Sequence, residues 1–597
     1  MEVFDMYEWV HERERVGFDF EVWNELYRKA VSHRQSTWDS DAKDGNRVRV
    51  NDIPLIKDLP NFKNYDGKFF KDNWIFKHIK WLVSMLSGSI VTYDCQSKTT
   101  FRDENTELLE CELNLVSCLL DIPKQTSAAL YDCFYTGMGY VRRHWDKYAV
   151  SIANETGVPV LKHVSSMKMY IDPTTQANDK SDMGYIFHVE RYNWKEMAKR
   201  YPKHKQEFDA KQDSDHMVSI VTLQYKVEEL IESVWISDEA QQPVKKWILP
   251  LKEYEEKCGR GELLPEQCIV SKKFKNRKVF WYEAKFFADI DCVVQEPEFI
   301  GERCSYHIMH YSHNAESAYS KGLVYYMISL QEISIIMLTT LSVQMLNMVK
   351  PAKIIEPGSI EDFEGYMQNG AQLGVPIVPD VGWRALNPDK DPIKYLPLPE
   401  FPHGITIVEK YLKESAESMS GVTPTMQGEP VYSQMSGVAA AQFMSAGKIY
   451  HKEEQIKYQQ YLNAIGYGLM FDIAENRDFS HYVEHLGEDN QMEQVLVNDL
   501  ENSPFVFEPE RTLVFAEIVE NIELLKQIQR EQAMNLRAAG LLSGVDTIDY
   551  SGLDNPQRLY DRAMQEQGML EVNKFLASNP EVMSQLEEMM SQAVGSN

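Results

Sequence analysis

A chain of 597 residues, 43% hydrophobic and 11% aromatic, holds enough apolar material for about four packed units at roughly 150 residues each, and it is not disordered as a whole. Its 90 acidic against 62 basic residues give a formal charge of −28, which argues against tight, static binding of nucleic acid, because affinity for phosphates comes from Lys and Arg. The same charge keeps a surface soluble, and it suits a wall that nucleic acid must slide past.

Residues 1–20 lack a basic stretch followed by an apolar one, so no secretory signal is expected. Residues 1 to about 150 are predicted mainly helical. Leu108, Leu109, Leu113, Leu115, Leu119 and Leu120 fall near helical spacing within 106–130. Gly137 and Gly139 then mark a turn, and 140–145 alternates as a strand. From about 150 to 313 the pattern is mixed. Strands are predicted at 218–227, 233–236, 278–281 and 304–311, and a short helix at 194–201 is stopped by Pro202.

A long helix is predicted over 315–348, with Leu330, Ile333, Met337, Leu341, Met345 and Met348 on one face. Ile336, Leu338, Val343 and Leu346 add apolar surface elsewhere, so the helix needs several neighbours. Its most apolar part, 333–349, is too short and polar for a membrane span and is expected to be buried. Pro351 ends it. The Pro- and Gly-rich stretch 351–402 is predicted to be a small non-helical insertion. A second helix follows at 405–419. Ile405, Val408, Leu412, Ala416 and Met419 form its stripe, and Glu409/Lys413 and Lys413/Glu417 are solvent-side pairs. Gly421 ends it, and 422–436 is a loop by composition. Ser436 then caps a helix over 437–475, about 60 Å long at 1.5 Å per residue. Residues from about 512 to 591, rich in Gln, Glu and Met, are expected to be almost wholly helical.

The eight cysteines form no C-x-x-C pair and are expected to be reduced. There is no phosphate-binding G-x-x-x-x-G-K-[ST], no H-E-x-x-H and no G-x-S-x-G. With 90 carboxylates, Asp/Glu pairs arise by chance, so no general acid or base stands out. No catalytic residue and no cofactor is expected. Cys304, His307, His310 and His313 recur every three residues, and imidazole and thiolate are good metal ligands. On the strand predicted here, positions i and i+3 point to opposite sides. The histidines are therefore expected to be structural, with metal binding as the alternative.

The order of long helix, Pro-rich insertion, second helix, loop and very long helix resembles the portal proteins of tailed bacteriophages. Local residues carry the same likeness. Met169-Tyr170-Ile171-Asp172-Pro173 leads through Asp179 and Ser181-Asp182 to Tyr185-Ile186-Phe187, Arg191, Trp194 and Arg200-Tyr201-Pro202. That succession looks like portals of short-tailed phages. So do Tyr135 to Tyr140 around Gly137 and Gly139, Gly322-Leu323-Val324 with Gln331, and Gly428-Glu429-Pro430 followed by Ser436 to Ala439.

The resemblance implies an α+β, mainly helical subunit of several domains. These are a wing over 1–314, a first stem helix over 315–350, a clip over 351–402 and a second stem helix over 403–420. A tunnel loop over 421–436, a long wing helix with C-terminal wing over 437–511, and a helical crown over 512–597 follow. It implies no enzyme but a twelve-membered ring at one capsid vertex, the channel for genome packaging and ejection. Thr423, Thr425, Gln427, Tyr432, Ser433 and Gln434 would face double-stranded DNA, contacting it weakly and without sequence preference, with Lys350 and Lys353 near the stem ends. Lys410 and Lys413 have the simpler role of helix-surface pairing. Asp362, Glu364, Arg384 and Lys390 would be clip contacts for the terminase large subunit and later the head-to-tail adaptor or tail proteins. Major capsid and scaffolding proteins are further expected partners. The implied location is the virion, after assembly in the host cytoplasm, with no membrane. The alternatives are another internal or scaffold-type virion protein and, less favoured, an enzyme on nucleic acid.

Overall fold

The computed structural model describes residues 20–53, 72–87, 90–98, 104–150, 156–211, 215–238, 245–260, 268–287, 292–314, 316–349, 353–369, 378–395, 404–424, 426, 449–477, 481–486, 492–497, 509, 512–519 and 537. The chain forms two units, 1–422 with 452–518 and 423–451 with 519–597. The elements below build the first, which is α+β.

Helices α1 (Phe20–Thr37) and α2 (Asp39–Arg49) lead to α3 (Trp74–Leu86), strand β1 (Ile90–Ser97), α4 (Glu104–Leu120) and α5 (Ile122–Thr136). The single helix expected over 106–130 is two. Asp121 sits between them at φ +50°, and Pro123 in the first turn of α5 has no N–H to carry a helix onward. Strand β2 (Met138–Val150) follows the turn at Gly137, then β3 (Thr156–Val164), β4 (Met169–Ile171) and β5 (Tyr185–Asn193). Helices α6 (Trp194–Arg200) and α7 (Lys205–Lys211) precede β6 (Met217–Asp238), which is one long strand where two short ones are expected. Then come β7 (Lys245–Pro250), α8 (Leu251–Arg260), β8 (Cys268–Phe287), β9 (Cys292–Gly301) and β10 (Tyr306–His310).

Six of these strands make an antiparallel sheet in the order β4-β5-β6-β8-β9, with β7 also paired to β6. A second sheet runs β10-β2-β3. It lies between the first sheet and the helices, and the two-residue alternation of β2 shows how. Met138 and Tyr140 pack with Ile171, Ile186 and Trp281 of the large sheet. Val141, on the other face, packs with Leu130, Phe134, Leu462 and Ile465. The same alternation splits two adjacent arginines. Arg142 donates to both oxygens of Glu283 on β8 at 3.0 and 2.8 Å, whereas Arg143 reaches Asp472 in the helical layer. Gln224 ties the first pair down, donating to Glu283 at 2.7 Å and to the Ser305 hydroxyl at 2.6 Å.

The long helix α9 spans Leu323–Val349. It starts eight residues later than expected because 316–322 is a packed loop. Tyr319 stacks on Trp38 at 5.3 Å, and Gly322 passes so close to α5 that a Cβ would come 2.7 Å from the Phe134 carbonyl oxygen. Residues 323–342 are long and apolar enough to cross a membrane by length and composition alone. Then come β11 (Lys353–Ile355), α10 (Phe363–Asn369), α11 (Val381–Leu386), β12 (Ile393–Tyr395), α12 (Gly404–Ser420) and α13 (Lys452–Asn476). The stretch expected to be non-helical thus holds two short helices, each begun by a capping aspartate: Asp362 accepts from Gly365 N–H and Asp380 from Trp383 N–H, both at 2.9 Å. The part of the predicted 437–475 helix before Ile449 lies outside the described residues. Strands β13 (His481–Leu486) and β14 (Met492–Val497) form a hairpin. Residues Thr512–Val519, expected to be helical, are strand β15, paired with β1. The alternation in Thr-Leu-Val-Phe-Ala-Glu-Ile-Val explains it: Val514 and Ala516 are buried, Leu513 and Phe515 exposed.

The tightest point of the fold is the turn after α5. Gly137 has φ +99° and its N–H returns to the Cys133 carbonyl at 2.9 Å. A Cβ there would strike the Ser320 carbonyl, one on Gly139 the Ala129 carbonyl, and one on Gly45 the Tyr135 carbonyl. Gly137→Ala is therefore expected to lower stability by about 2 kcal/mol or more, combining a left-handed backbone with a backbone clash. Gly259→Ala, in α8 with nothing within 4 Å of its Cβ, should be neutral or slightly stabilising. Urea unfolding of the two variants checks the contrast.

Burial raises the Glu283 carboxyl pKa, but Arg142, Lys285 and Gln224 outweigh it and hold the group below its ordinary value of 4.5. A depressed folded value stabilises the fold above the unfolded value, and that gain is lost as pH falls through the folded one. Glu283→Gln leaves Arg142 buried without its charge partner, and it should cost about 3 kcal/mol at pH 7. The gap between wild type and variant should narrow as pH falls below the ordinary carboxyl value of 4.5 and through the lowered folded one, measured by urea unfolding across pH.

Candidate functional site

Of the residues expected to face a channel, Thr423 is exposed just past α12. Gly421 at φ +67° ends that helix. Ser420 Oγ accepts from Val422 N–H at 3.2 Å and bonds His78 Nδ1 at 2.8 Å. Thr425, Gln427, Tyr432, Ser433, Gln434 and Lys350 lie outside the described residues. Lys353 opens β11, its backbone paired with Tyr395 of β12.

The four clip candidates share one small folded piece. The β11–β12 pair and the bridge between Ile360 and Pro379 frame a core of Ile360, Tyr366 and Ile393, with Ile355 packed against it. Asp362 is the cap of α10, so its carboxylate has a local structural task. Arg384 donates to the Lys390 carbonyl at 3.1 Å, closing α11 onto the following turn. Glu364 and Lys390 are exposed, and they are the two whose charges are most available to a partner.

Helices α9 and α12 pack together. Leu412 and Ala416 of the predicted α12 stripe are buried, but Val408 and Met419 are 42% and 48% exposed. Ile407 and Tyr411, off that stripe, are 71% and 67% exposed. On α9, Ile333 and Met345 are 44% and 52% exposed, so the helix expected to be buried is covered only in part by its own chain. Sequence reading missed the second α12 row. Its signal is the i, i+4 pair Ile407 and Tyr411. The lysines of α12 sit in helix-surface pairs, Lys413 with Glu409 at 3.1 Å and Lys410 with Glu414 at 3.7 Å.

The Cys304–His313 series is spread over both faces of β10 and the residues beyond it, which run on as a loop, not a helix. His307 Nε2 accepts from Arg143 Nε at 3.2 Å on the helical side. His310 bonds Asn178 Oδ1 at 2.7 Å. Cys304 Sγ donates to Gln224 Oε1 at 3.4 Å. Burial, aided by Lys180, Lys457 and His313, lowers the His310 pKa to about 4, and burial raises that of Cys304 to about 12. A neutral imidazole accepting from an arginine and a protonated thiol are satisfied as they stand. Among the described residues, no group of three or more His, Cys, Asp or Glu is placed to hold a metal ion.

No curated protein matches the chain. Among solved structures, the chain is similar to one titled "Neck of native GTA particle computed with C12 symmetry". The identity is 9%, the match covers 80% of this chain and 89% of that one, and the TM-score is 0.34. The family model described as Phage P22-like portal protein matches residues 66–498. That span takes in the Gly137 turn, both sheets, α9, the capped helices α10 and α11, and α12. Matched over more than half its length, the chain belongs to the phage P22-like portal protein family.

Proposed function

We propose that twelve copies of this chain form a ring at one vertex of a phage capsid, and that double-stranded DNA is packaged and ejected through its bore. The observation that carries the ring is the apolar surface left open on α9 and α12, Ile333 and Met345 with Ile407, Val408 and Tyr411. Several large apolar side chains left open on two packed helices call for a cover, and closed rings supply one with a neighbouring copy. In this reading α9 and α12 are the stem, with the clip over 351–402 between them. The wing takes 1–314, 437–511 and strand β15, the tunnel loop 421–436, and the crown the residues beyond β15. The function is that of conduit and hub, with no catalytic step. The net charge of −28 suits a bore that must not trap phosphates.

The clip would dock the terminase large subunit during packaging and the head-to-tail adaptor or tail proteins afterwards. Capsid and scaffolding proteins would hold the ring in the shell, after assembly in the host cytoplasm.

Light scattering and negative-stain images of the purified chain test the ring. The expected species has a mass of about 830 kDa, twelve times 69.2 kDa, and a central hole. Ile407→Asp with Tyr411→Asp should shift it to monomers and small oligomers without loss of helical signal. A chain that stays monomeric at high concentration with its capsid and scaffolding proteins present would overturn the ring. For the clip, Glu364→Lys with Lys390→Glu should leave the ring intact and weaken terminase capture at least about tenfold, the size of loss seen when interfacial charges are reversed. Unchanged capture would remove these two residues from the docking surface.

A further inference from the structure

The distal half of the β6–β8 hairpin is an arm. Strand β6 pairs with β5 only as far as Tyr225, and β8 pairs with β9 only from Trp281 onward. Beyond those points β6 and β8 continue together to Asp238 and Cys268, joined by β7 and packed under α8. Among the described residues, β8 from 268 to 280 has no strand on its outer side.

That edge carries Ser271-Lys272-Lys273-Phe274-Lys275-Asn276-Arg277-Lys278, five basic residues in eight with no acid among them, in a chain of net charge −28. Lys272, Lys273, Lys275 and Arg277 are exposed. Arg277 pairs with Glu228 at 3.2 Å and Lys278 with Glu302, whereas Lys272, Lys273 and Lys275 make no ion pair among the described residues. Trp235, opposite Lys272, is 37% exposed with its ring 6.4 Å from Phe274. An open strand edge is ordinarily guarded by charged side chains, lysine above all, or by proline. A run this dense goes beyond that need.

We propose that this arm is a docking surface for the phosphate backbone of double-stranded DNA lying against the ring, distinct from the DNA in the bore. The proposal rests on the portal reading for the presence of that DNA. Lys273, Lys275 and Arg277 share one face of β8 and recur at about 6.6 Å, two residues of strand. Phosphates on one strand of a duplex rise by about 3.4 Å each along the axis, so one residue step on this face spans about two of them. Four lysines to one arginine give point charges without fixed hydrogen-bond geometry, which fits contact with a backbone regardless of sequence.

The test is fluorescence anisotropy of a 30-bp duplex with the full-length ring, titrated at several salt concentrations. Wild type is compared with Lys273→Glu/Lys275→Glu/Arg277→Glu and with a control reversing three exposed lysines elsewhere, Lys80→Glu/Lys124→Glu/Lys199→Glu. The arm variant should bind at least tenfold more weakly at low salt. Its slope of log affinity against log salt should be shallower by about 2 to 3, three phosphate contacts at about 0.9 each. The control should follow wild type. Absence of wild-type binding at low salt, or an arm variant matching wild type in affinity and slope, overturns the proposal. So does loss of the ring in the arm variant alone, which would make the patch a contact between copies. Failure of wild type itself to form a ring would count against the portal reading, and ring mass measured on each sample keeps the two failures apart.

Discussion

The fold depends on backbone segments being allowed to touch at one place. Around the turn that ends α5, three stretches distant in sequence pass with no room for a Cβ at four glycines: α2 at Gly45, the turn and start of β2 at Gly137 and Gly139, and the lead into α9 at Gly322. Trp38 closes the junction. It is buried, and its indole N–H donates to the Thr136 carbonyl at 2.7 Å and the Ser320 carbonyl at 3.0 Å. The Thr136 carbonyl is at the C-terminal end of α5 and the Ser320 carbonyl lies in the loop before α9, so the tryptophan supplies hydrogen bonds and packing together. The position of α9, and with it the proposed stem, is set from this junction.

Buried charge extends the same ordering outward. Arg34 runs from α1 to the Met167 and Met169 carbonyls at 2.9 Å each, lies over the Tyr170 ring at 3.7 Å and pairs with Asp39 at 2.8 Å. Arg142 and Arg143 pull β2 toward opposite layers, and Arg477 joins the end of α13 to Glu112 of α4. Such pairs add little net stability against apolar replacements. Here each one joins a different pair of elements, so together they select one arrangement of layers.

Much of this was legible in the sequence, and the rest was hidden for definite reasons. Gly137, Gly139 and Gly322 stand out as letters, but nothing local says that Gly137 meets residue 320. The alternation of 140–145 gave β2, whose period of two carries Arg142 and Arg143 to opposite faces in the structure; with 90 acids to choose from, Glu283 and Asp472 were not identifiable as their partners. Helices α10 and α11, seven and six residues long, are too short for periodicity and were lost among prolines. Their caps, Asp362 and Asp380, were the available signal. Strand β15 was overwritten by the Gln- and Glu-rich composition that follows it. At the candidate sites, the outer row on α12 was overlooked because a single apolar stripe already accounted for that helix.

The pairing of β1 with β15 has a consequence for how the chain is made. The large sheet is built from near neighbours in sequence and can form while synthesis is still under way. The helical core cannot, because it needs Tyr458, Leu469 and Val514 packed with Val48, Leu82 and Tyr93. Until residue 519 has emerged, β1 presents a bare strand edge beside unfinished apolar surface, a state prone to wrong association. A product cut short before residue 512 lacks β15 altogether and keeps that edge open for good.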